Sequence, residues 1–161
     1  MTDLDPIIQV TDLEQLSDTM VVCDVRWYLD GRSGSDAYRA GHIPGAVFVD
    51  LDSHLAGPPS AAAGRHPLPD PADFADALGG LGIGPAHTVV AYDDVGGMVA
   101  GRLVWMLRIL GQPAALLDGG LDAWAGPLAT GETKPTPVDC PARLWPDSAL
   151  VDIDQADSWV D

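Results

Sequence analysis

The chain has 161 residues, which suits a single domain because domains commonly contain about 100–200 residues. Hydrophobic residues make up 47% of it and charged residues 20%, a balance that permits a buried core and excludes wholesale disorder. The net charge of −16 disfavours binding to nucleic acids and to anionic membranes, since both need clustered Lys and Arg. Because nearly all of the acids are Asp, we interpret this charge as compositional bias or salt adaptation.

The two cysteines, Cys23 and Cys140, are too few for a disulfide scaffold or a cysteine-rich zinc site. The N-terminus lacks the basic region and the apolar run of a signal peptide. No apolar run approaches the about 20 residues that cross a bilayer. We therefore expect a cytoplasmic protein without a metal or a cofactor.

Apolar runs alternate with helical patterns along most of the chain. The patterns predict strands at 7–10, 20–25, 46–49, 88–92 and 114–117, and helices at 35–40, 71–81, 98–110 and 121–124. A capping box at Thr11 and Glu14 predicts a further helix after the first strand. Residues 53–70 are rich in Pro, Gly, Ala and Ser and predict a surface loop. Strands separated by helices indicate an α/β fold, a mainly parallel sheet with helices on both faces.

The pattern changes near residue 127. Five prolines follow between residues 127 and 146, which predicts a proline-rich linker over 127–147. Residues 149–154 then resume a strand-like pattern similar to that of residues 7–12. We therefore expect one domain over 6–126, then the linker, and from 148 to 161 the start of a second, incomplete domain.

Four motifs stand at the ends of predicted elements. They are Asp-x-Arg at 24–26, Gly-His-Ile-Pro-Gly-Ala at 41–46, Val-Val-Ala-Tyr at 89–92 and Leu-Asp-Gly-Gly-Leu-Asp-Ala-Trp at 117–124. In this order and spacing they resemble the rhodanese family, most closely the N-terminal half of tandem-domain thiosulfate or 3-mercaptopyruvate sulfurtransferases. The resemblance runs from about residue 6 to residue 126 and implies the three-layer rhodanese-like fold.

Four motif residues have structural interpretations of their own. Asp24 and Arg26 are interpreted as an ion pair or turn bond in preference to catalytic groups. His42 is interpreted as a residue that organises its turn in preference to a catalytic base. Trp124 is predicted to be a core anchor.

The loop after the strand at 88–92 decides the function. Parallel sheets bind ligands at the carboxyl ends of their strands, where loop N–H groups and a helix N-terminus stabilise anions. The resemblance implies that an active member begins this loop with a cysteine. Its thiolate takes a sulfane sulfur, becomes a persulfide and passes the sulfur to a nucleophile. Here the loop consists of Asp93, Asp94, Val95, Gly96, Gly97 and Met98, with Asp93 at the position of the cysteine.

A carboxylate cannot accept sulfane sulfur, so we expect no catalytic residue in this chain. Asp93 is predicted instead to accept the loop N–H groups and to cap the following helix, which contributes about 0.5–2 kcal/mol. Neither cysteine is expected to substitute, because Cys23 lies in an apolar strand and Cys140 is predicted to be exposed in the linker. A cysteine phosphatase is excluded as well, since Val99 stands where that site needs an Arg.

Two functions stay open, and a third is disfavoured. The first is the N-terminal half of a tandem sulfurtransferase, where the resemblance implies that a second rhodanese-like domain is the partner, carries the cysteine and takes the small anionic sulfur donor. The second is a stand-alone, catalytically dead binding or regulatory module; a cysteine-bearing domain after Asp161 would distinguish the first from the second. The third is an enzyme that holds a divalent cation with Asp93 and Asp94, but no third ligand stands at a useful spacing.

Overall fold

A parallel sheet forms the centre of the protein, whose computed structural model describes residues 4–13 and 19–159. In this described part the sheet has five strands: β1 (Ile7–Ile8), β2 (Met20–Asp24), β3 (Val47–Phe48), β4 (Thr88–Tyr92) and β5 (Ala114–Leu117). Their order is β1-β5-β4-β2-β3, and every pairing between them is parallel.

Helices connect the strands and cover the sheet. They are α1 (Val10–Leu13), α2 (Gly34–Ala40), α3 (Leu51–His54), α4 (Pro71–Gly80) and α5 (Ala100–Ile109), with a 3₁₀ turn at Gly120–Ala123 after β5. Beyond the sheet lie a 3₁₀ turn at Asp147–Ala149 and α6 (Ile153–Asp157). The predicted α/β class, a parallel sheet between helical layers, is confirmed.

Strand β4 shows how the sheet is buried on both faces. Val89 and Ala91 pack into the core beneath α4 and α5, whereas Val90 and Tyr92 pack into the core of the opposite face. All four side chains are fully buried. A continuous apolar run is what a central parallel strand requires, and the predicted bounds of this strand are confirmed.

The first helix begins earlier than its predicted cap. It starts at Val10, so Thr11 lies inside it. The backbone N–H of Gln9 donates to the Asp12 carboxylate at 2.8 Å and so supports the first turn. Glu14, the other half of the predicted capping box, lies outside the described residues.

The stretch predicted to be a loop, residues 53–70, contains the end of a short helix. Asp50 accepts the Ser53 N–H at 2.8 Å and caps α3, which begins at Leu51, before this stretch, and ends at His54 inside it. Pro71 opens α4 as predicted, with Asp70 as its cap. Trp124 is half-buried and packs on the edge of the core, so its interpretation as an anchor holds in part.

The segment predicted to be a linker lies against the domain, where Trp145 packs on Phe74. The strand predicted over 149–154 is wrong. Asp152 and Gln155 form a capping box that starts α6, and no strand of the described chain lies beside it to pair with. A second domain from residue 148 stays a prediction. None of the described helices has the length and apolar character needed to span a membrane.

Candidate functional site

The loop at residues 93–98 lies at the carboxyl end of β4, in the centre of the sheet. Strand β2 ends beside it, because Asp24 pairs with Tyr92 in register. Helix α5 begins directly after the loop. This is the position where parallel sheets gather their functional groups.

The carboxylate of Asp93 is enclosed by backbone N–H groups. Its Oδ1 accepts the N–H of Val95 at 2.9 Å and that of Gly97 at 2.7 Å. Its Oδ2 accepts the N–H groups of Val99 and Ala100, both at 2.9 Å, at the start of α5. The residue is fully buried. The prediction that Asp93 takes the loop N–H groups and caps the helix is confirmed, and the bonds explain why α5 begins at Ala100 and not at residue 98.

Glycines give the loop its tight path. Gly96 and Gly97 adopt φ of +74° and +83°, in the left-handed region that favours glycine. A Cβ on Gly97 would also lie 2.5 Å from the Leu116 side chain. The loop is therefore pressed onto the sheet, with its N–H groups turned inward.

Asp94 points to a different partner. Its Oδ2 accepts the Tyr28 hydroxyl at 2.6 Å, and its Oδ1 is buried without a hydrogen-bond partner among the described residues. Burial, followed by the bond to Asp94, raises the pKa of Tyr28 to about 12. The Arg32 guanidinium lies 3.8 Å from the centre of the Tyr28 ring. In the described chain, neither Asp93 nor Asp94 belongs to a group of three or more His, Cys, Asp or Glu residues able to hold a metal.

Asp24 and Arg26 form a buried ion pair, as predicted. Arg26 Nη2 lies 2.6 Å from Asp24 Oδ2 and also donates to the carbonyl of Gly41 at 2.6 Å. The Tyr92 hydroxyl donates to the same Asp24 oxygen at 2.8 Å, and burial together with this carboxylate raises the pKa of Tyr92. The pair thus joins β2, β4 and the turn at residue 41.

His42 organises its turn, as predicted. It exchanges two backbone hydrogen bonds with Ala129, at 3.0 and 2.9 Å. Its ring Nδ1 lies 2.8 Å from the Tyr38 carbonyl, and the ring stacks on the Tyr38 ring at 4.0 Å. The His42 side chain is almost fully buried.

The cysteines differ from each other in burial. Cys23 is fully buried in β2, as predicted, and burial raises the pKa of its thiol. Cys140, predicted to be exposed, is half-buried and packs against the core near α4. Burial also raises the pKa of the Cys140 thiol, so neither thiol has the lowered pKa of a reactive cysteine.

A cleft of about 380 Å³ opens beside the loop, and the sequence did not indicate it. It is lined by Trp27, Leu29, Leu51, Arg65, His66, Met98, Val99 and Arg102. Leu29 and Met98 are 74% and 71% exposed, so part of its rim is apolar. No local pattern could reveal the cleft, because its walls come from the segments after β2, after β3, before α4 and after β4.

The polar groups of the cleft are held by hydrogen bonds. The Asp52 carboxylate accepts the Trp27 indole N–H and lies 2.9 Å from His66 Nε2. Arg102 is half-buried and donates to three carbonyl groups, those of residues 55, 66 and 67. The guanidinium of Arg65 lies 5.3 Å from the Trp27 ring. Within the described residues, Arg65 and Arg102 have no carboxylate at salt-bridge distance.

Comparison with known proteins agrees with this geometry. Residues 10–127 match the family model described as a rhodanese-like domain. The chain is 42% identical over 139 residues to a protein of Pseudomonas aeruginosa named a probable 3-mercaptopyruvate sulfurtransferase, covering 82% of this chain and 48% of that protein. It is 43% identical over 109 residues to a thiosulfate sulfurtransferase of the same organism, covering 66% of this chain and 39% of the relative.

A solved structure shows the same architecture. The 3-mercaptopyruvate sulfurtransferase of Leishmania major matches with a TM-score of 0.73 and 32% identity, over 87% of this chain and 40% of that one. The chain spans less than half the length of each of these three relatives. By its sequence match and its parallel five-stranded fold, the chain belongs to the rhodanese-like domain family.

Proposed function

We propose that this chain is the non-catalytic half of a tandem-domain sulfurtransferase, and that it transfers no sulfur by itself. The observation that carries this proposal is the Asp93 carboxylate, which takes four N–H groups of the loop. A carboxylate in that position excludes both a thiolate and the sulfur it would bind. The two thiols of the chain lie elsewhere, in β2 and beside α4.

The cleft supports the proposed partner, a second rhodanese-like domain that carries the cysteine. Leu29 and Met98 place exposed apolar surface at the carboxyl edge of the sheet, in a chain whose net charge is −16. Exposed apolar groups that cluster at one place are typical of a contact surface. The second domain would present its cysteine loop to this face.

The charges of the cleft suit an anionic sulfur donor. Arg65 and Arg102 line it without a carboxylate partner in the described chain, and such guanidinium groups attract sulfur oxyanions and carboxylates. The thiolate of the second domain would attack the sulfane sulfur of thiosulfate and release sulfite, or take the sulfur of 3-mercaptopyruvate and release pyruvate. His66, whose Nε2 lies 2.9 Å from Asp52, also lines this cleft.

The test is a sulfurtransferase assay with thiosulfate and cyanide, on the chain alone and with a cysteine-bearing rhodanese-like domain supplied in trans. We expect no turnover by the chain alone. We expect the wild-type chain to associate with the second domain more tightly than Met98→Ser does. Leu144→Ser is the matched control, since Leu144 is 84% exposed and lies outside the cleft. Turnover by the chain alone contradicts the proposal, and absence of association favours a stand-alone binding module.

We further propose a cytoplasmic location. Both cysteines are free, and free thiols persist in reducing compartments. Fractionation of cells that produce the native protein tests this, and recovery from an oxidising compartment would contradict it.

A further inference from the structure

We propose that residues 129–145 form a strap that belongs to the folding unit of this domain and braces one wall of the cleft. The segment is proline-rich, and its composition alone predicts a linker. Its contacts with three separate parts of the domain argue otherwise, and the inference does not depend on sulfur chemistry.

The strap begins at the turn after α2. Ala129 and His42 exchange two backbone hydrogen bonds, at 3.0 and 2.9 Å, as in an antiparallel bridge. Further along, the Thr133 N–H donates to the Tyr38 hydroxyl at 3.0 Å, and that hydroxyl donates to the carbonyl of Ala46 at 2.8 Å. The start of the strap is thus joined to groups that the fold itself needs.

The middle of the strap crosses the ends of α4 and α5. The Val138 N–H donates to the Gly79 carbonyl at 3.0 Å. The approach is so close that a Cβ on Gly79 would lie 2.7 Å from the Val138 carbonyl oxygen. Arg143 then donates to the carbonyl of Leu110, the C-cap residue of α5, at 3.0 Å and so gives a carbonyl group at that helix end a partner.

The strap ends at the cleft wall. The Trp145 indole donates to the Pro69 carbonyl at 2.9 Å, and its ring lies 5.2 Å from the ring of Phe74. Pro69 comes after the segment whose His66 and Pro67 carbonyls accept from Arg102. Arg102 therefore holds this short segment at His66 and Pro67. Trp145 holds the same segment at Pro69, just after the residues that line the cleft.

This arrangement changes how the rest of the chain is held. A free proline-rich linker as long as residues 127–147 would extend by about 3.1 Å per residue and could place its end up to about 65 Å from its start. A strap fastened at α2, α4 and Pro69 instead brings the chain out beside the cleft. The part of the chain that follows Trp145 therefore begins beside the cleft.

The first test uses two neighbouring glycines of α4 in the full chain. Gly79→Ala places its Cβ against the strap, whereas Gly80→Ala is exposed and meets nothing within 4 Å. We expect Gly80→Ala to keep or raise the melting temperature, because Ala favours helix. We expect Gly79→Ala to lower it by about 4 °C or more and to speed amide exchange at Val138, whose N–H donates to the Gly79 carbonyl. Equal melting temperatures and equal exchange for the two variants would overturn the strap.

The second test addresses the cleft wall and holds even where Gly79→Ala does not fold. Trp145→Ala removes the last attachment, and Trp159→Ala, whose side chain is 71% exposed, is the control. We expect amide exchange at Gly57 and Phe74, whose N–H groups donate to the Pro67 and Asp70 carbonyls at 3.0 Å, to become at least about tenfold faster in Trp145→Ala alone, since opening that costs less free energy exchanges faster. Exchange at these amides that matches the control would overturn the bracing role.

Discussion

The Asp93 carboxylate accepts the Gly97 N–H at 2.7 Å, the shortest of its four hydrogen bonds. One side chain thereby sets the path of a loop that passes from the centre of the sheet to the N-terminus of α5. The buried negative charge is balanced by N–H groups and by the positive end of the helix. The loop is an anion cradle whose anion is part of the chain.

Removing that anion should destabilise the domain. We predict that Asp93→Ala lowers the free energy of unfolding by about 2 kcal/mol or more, because it leaves four buried or half-buried N–H groups without their acceptor. Urea unfolding followed by circular dichroism measures this. Asp122→Ala is the control, since Asp122 is exposed on the 3₁₀ turn, and we expect it to change little. Equal stability of the two variants would contradict the capping role.

Gly120, at the start of the 3₁₀ turn after β5, lies in a place where a side chain should be costly. Gly120 has a φ of +56°, and a Cβ there would overlap the Asp93 carbonyl oxygen. We predict that Gly120→Ala costs about 1–3 kcal/mol more than Gly45→Ala, which has a φ of +81° but open space around it. Thermal unfolding of both variants separates the steric cost of the added Cβ from the cost of holding alanine at a positive φ. Similar losses would show that the loop and the 3₁₀ turn can move apart.

Stability should fall in mild acid through His54. The ring Nδ1 accepts the Asp50 N–H at 3.1 Å, which requires an unprotonated nitrogen, and burial lowers the pKa of His54 below its usual 6.5. The unfolded chain therefore binds this proton first, so stability is present above pH 6.5 and is lost as the pH falls through the lower folded pKa.

Urea unfolding of the wild type and of His54→Gln, at about pH 7.5 and pH 5.5, isolates this contribution. We expect the acid-induced loss to be smaller in the variant, because Gln does not titrate. His87→Gln serves as a second histidine variant for comparison. A loss that is unchanged in His54→Gln would assign the effect to other groups.

The sequence indicates those elements whose local pattern and tertiary role agree. The apolar run of β4 predicts a central strand because it is buried on both faces, and Asp93 is placed correctly because a strand, a glycine-rich loop and a helix come one after another. The strand predicted over 149–154 is wrong. In the described chain no strand lies beside it to pair with, and the capping box at Asp152 starts a helix instead.

The cleft and the strap escape prediction for a related reason. Asp52 joins Trp27 to His66 across a loop without periodicity, and that contact exists only after the segments have packed. Cys140 likewise looks exposed in a proline-rich sequence, but the close approach of Val138 to Gly79 brings it onto the core. Contacts between irregular segments leave no periodic trace in a sequence.

Asp93→Cys tests the central claim most directly. The variant places a thiol at the start of the N–H cradle, and Asp94→Cys places one a single residue away as the control. After incubation with thiosulfate, intact-mass spectrometry should show one added sulfur on Asp93→Cys and none on the control or on the parent, whose Cys23 and Cys140 report the background. A persulfide on the parent, or equal labelling of the two variants, would contradict the view that the Asp93 carboxylate occupies the sulfur site of this domain.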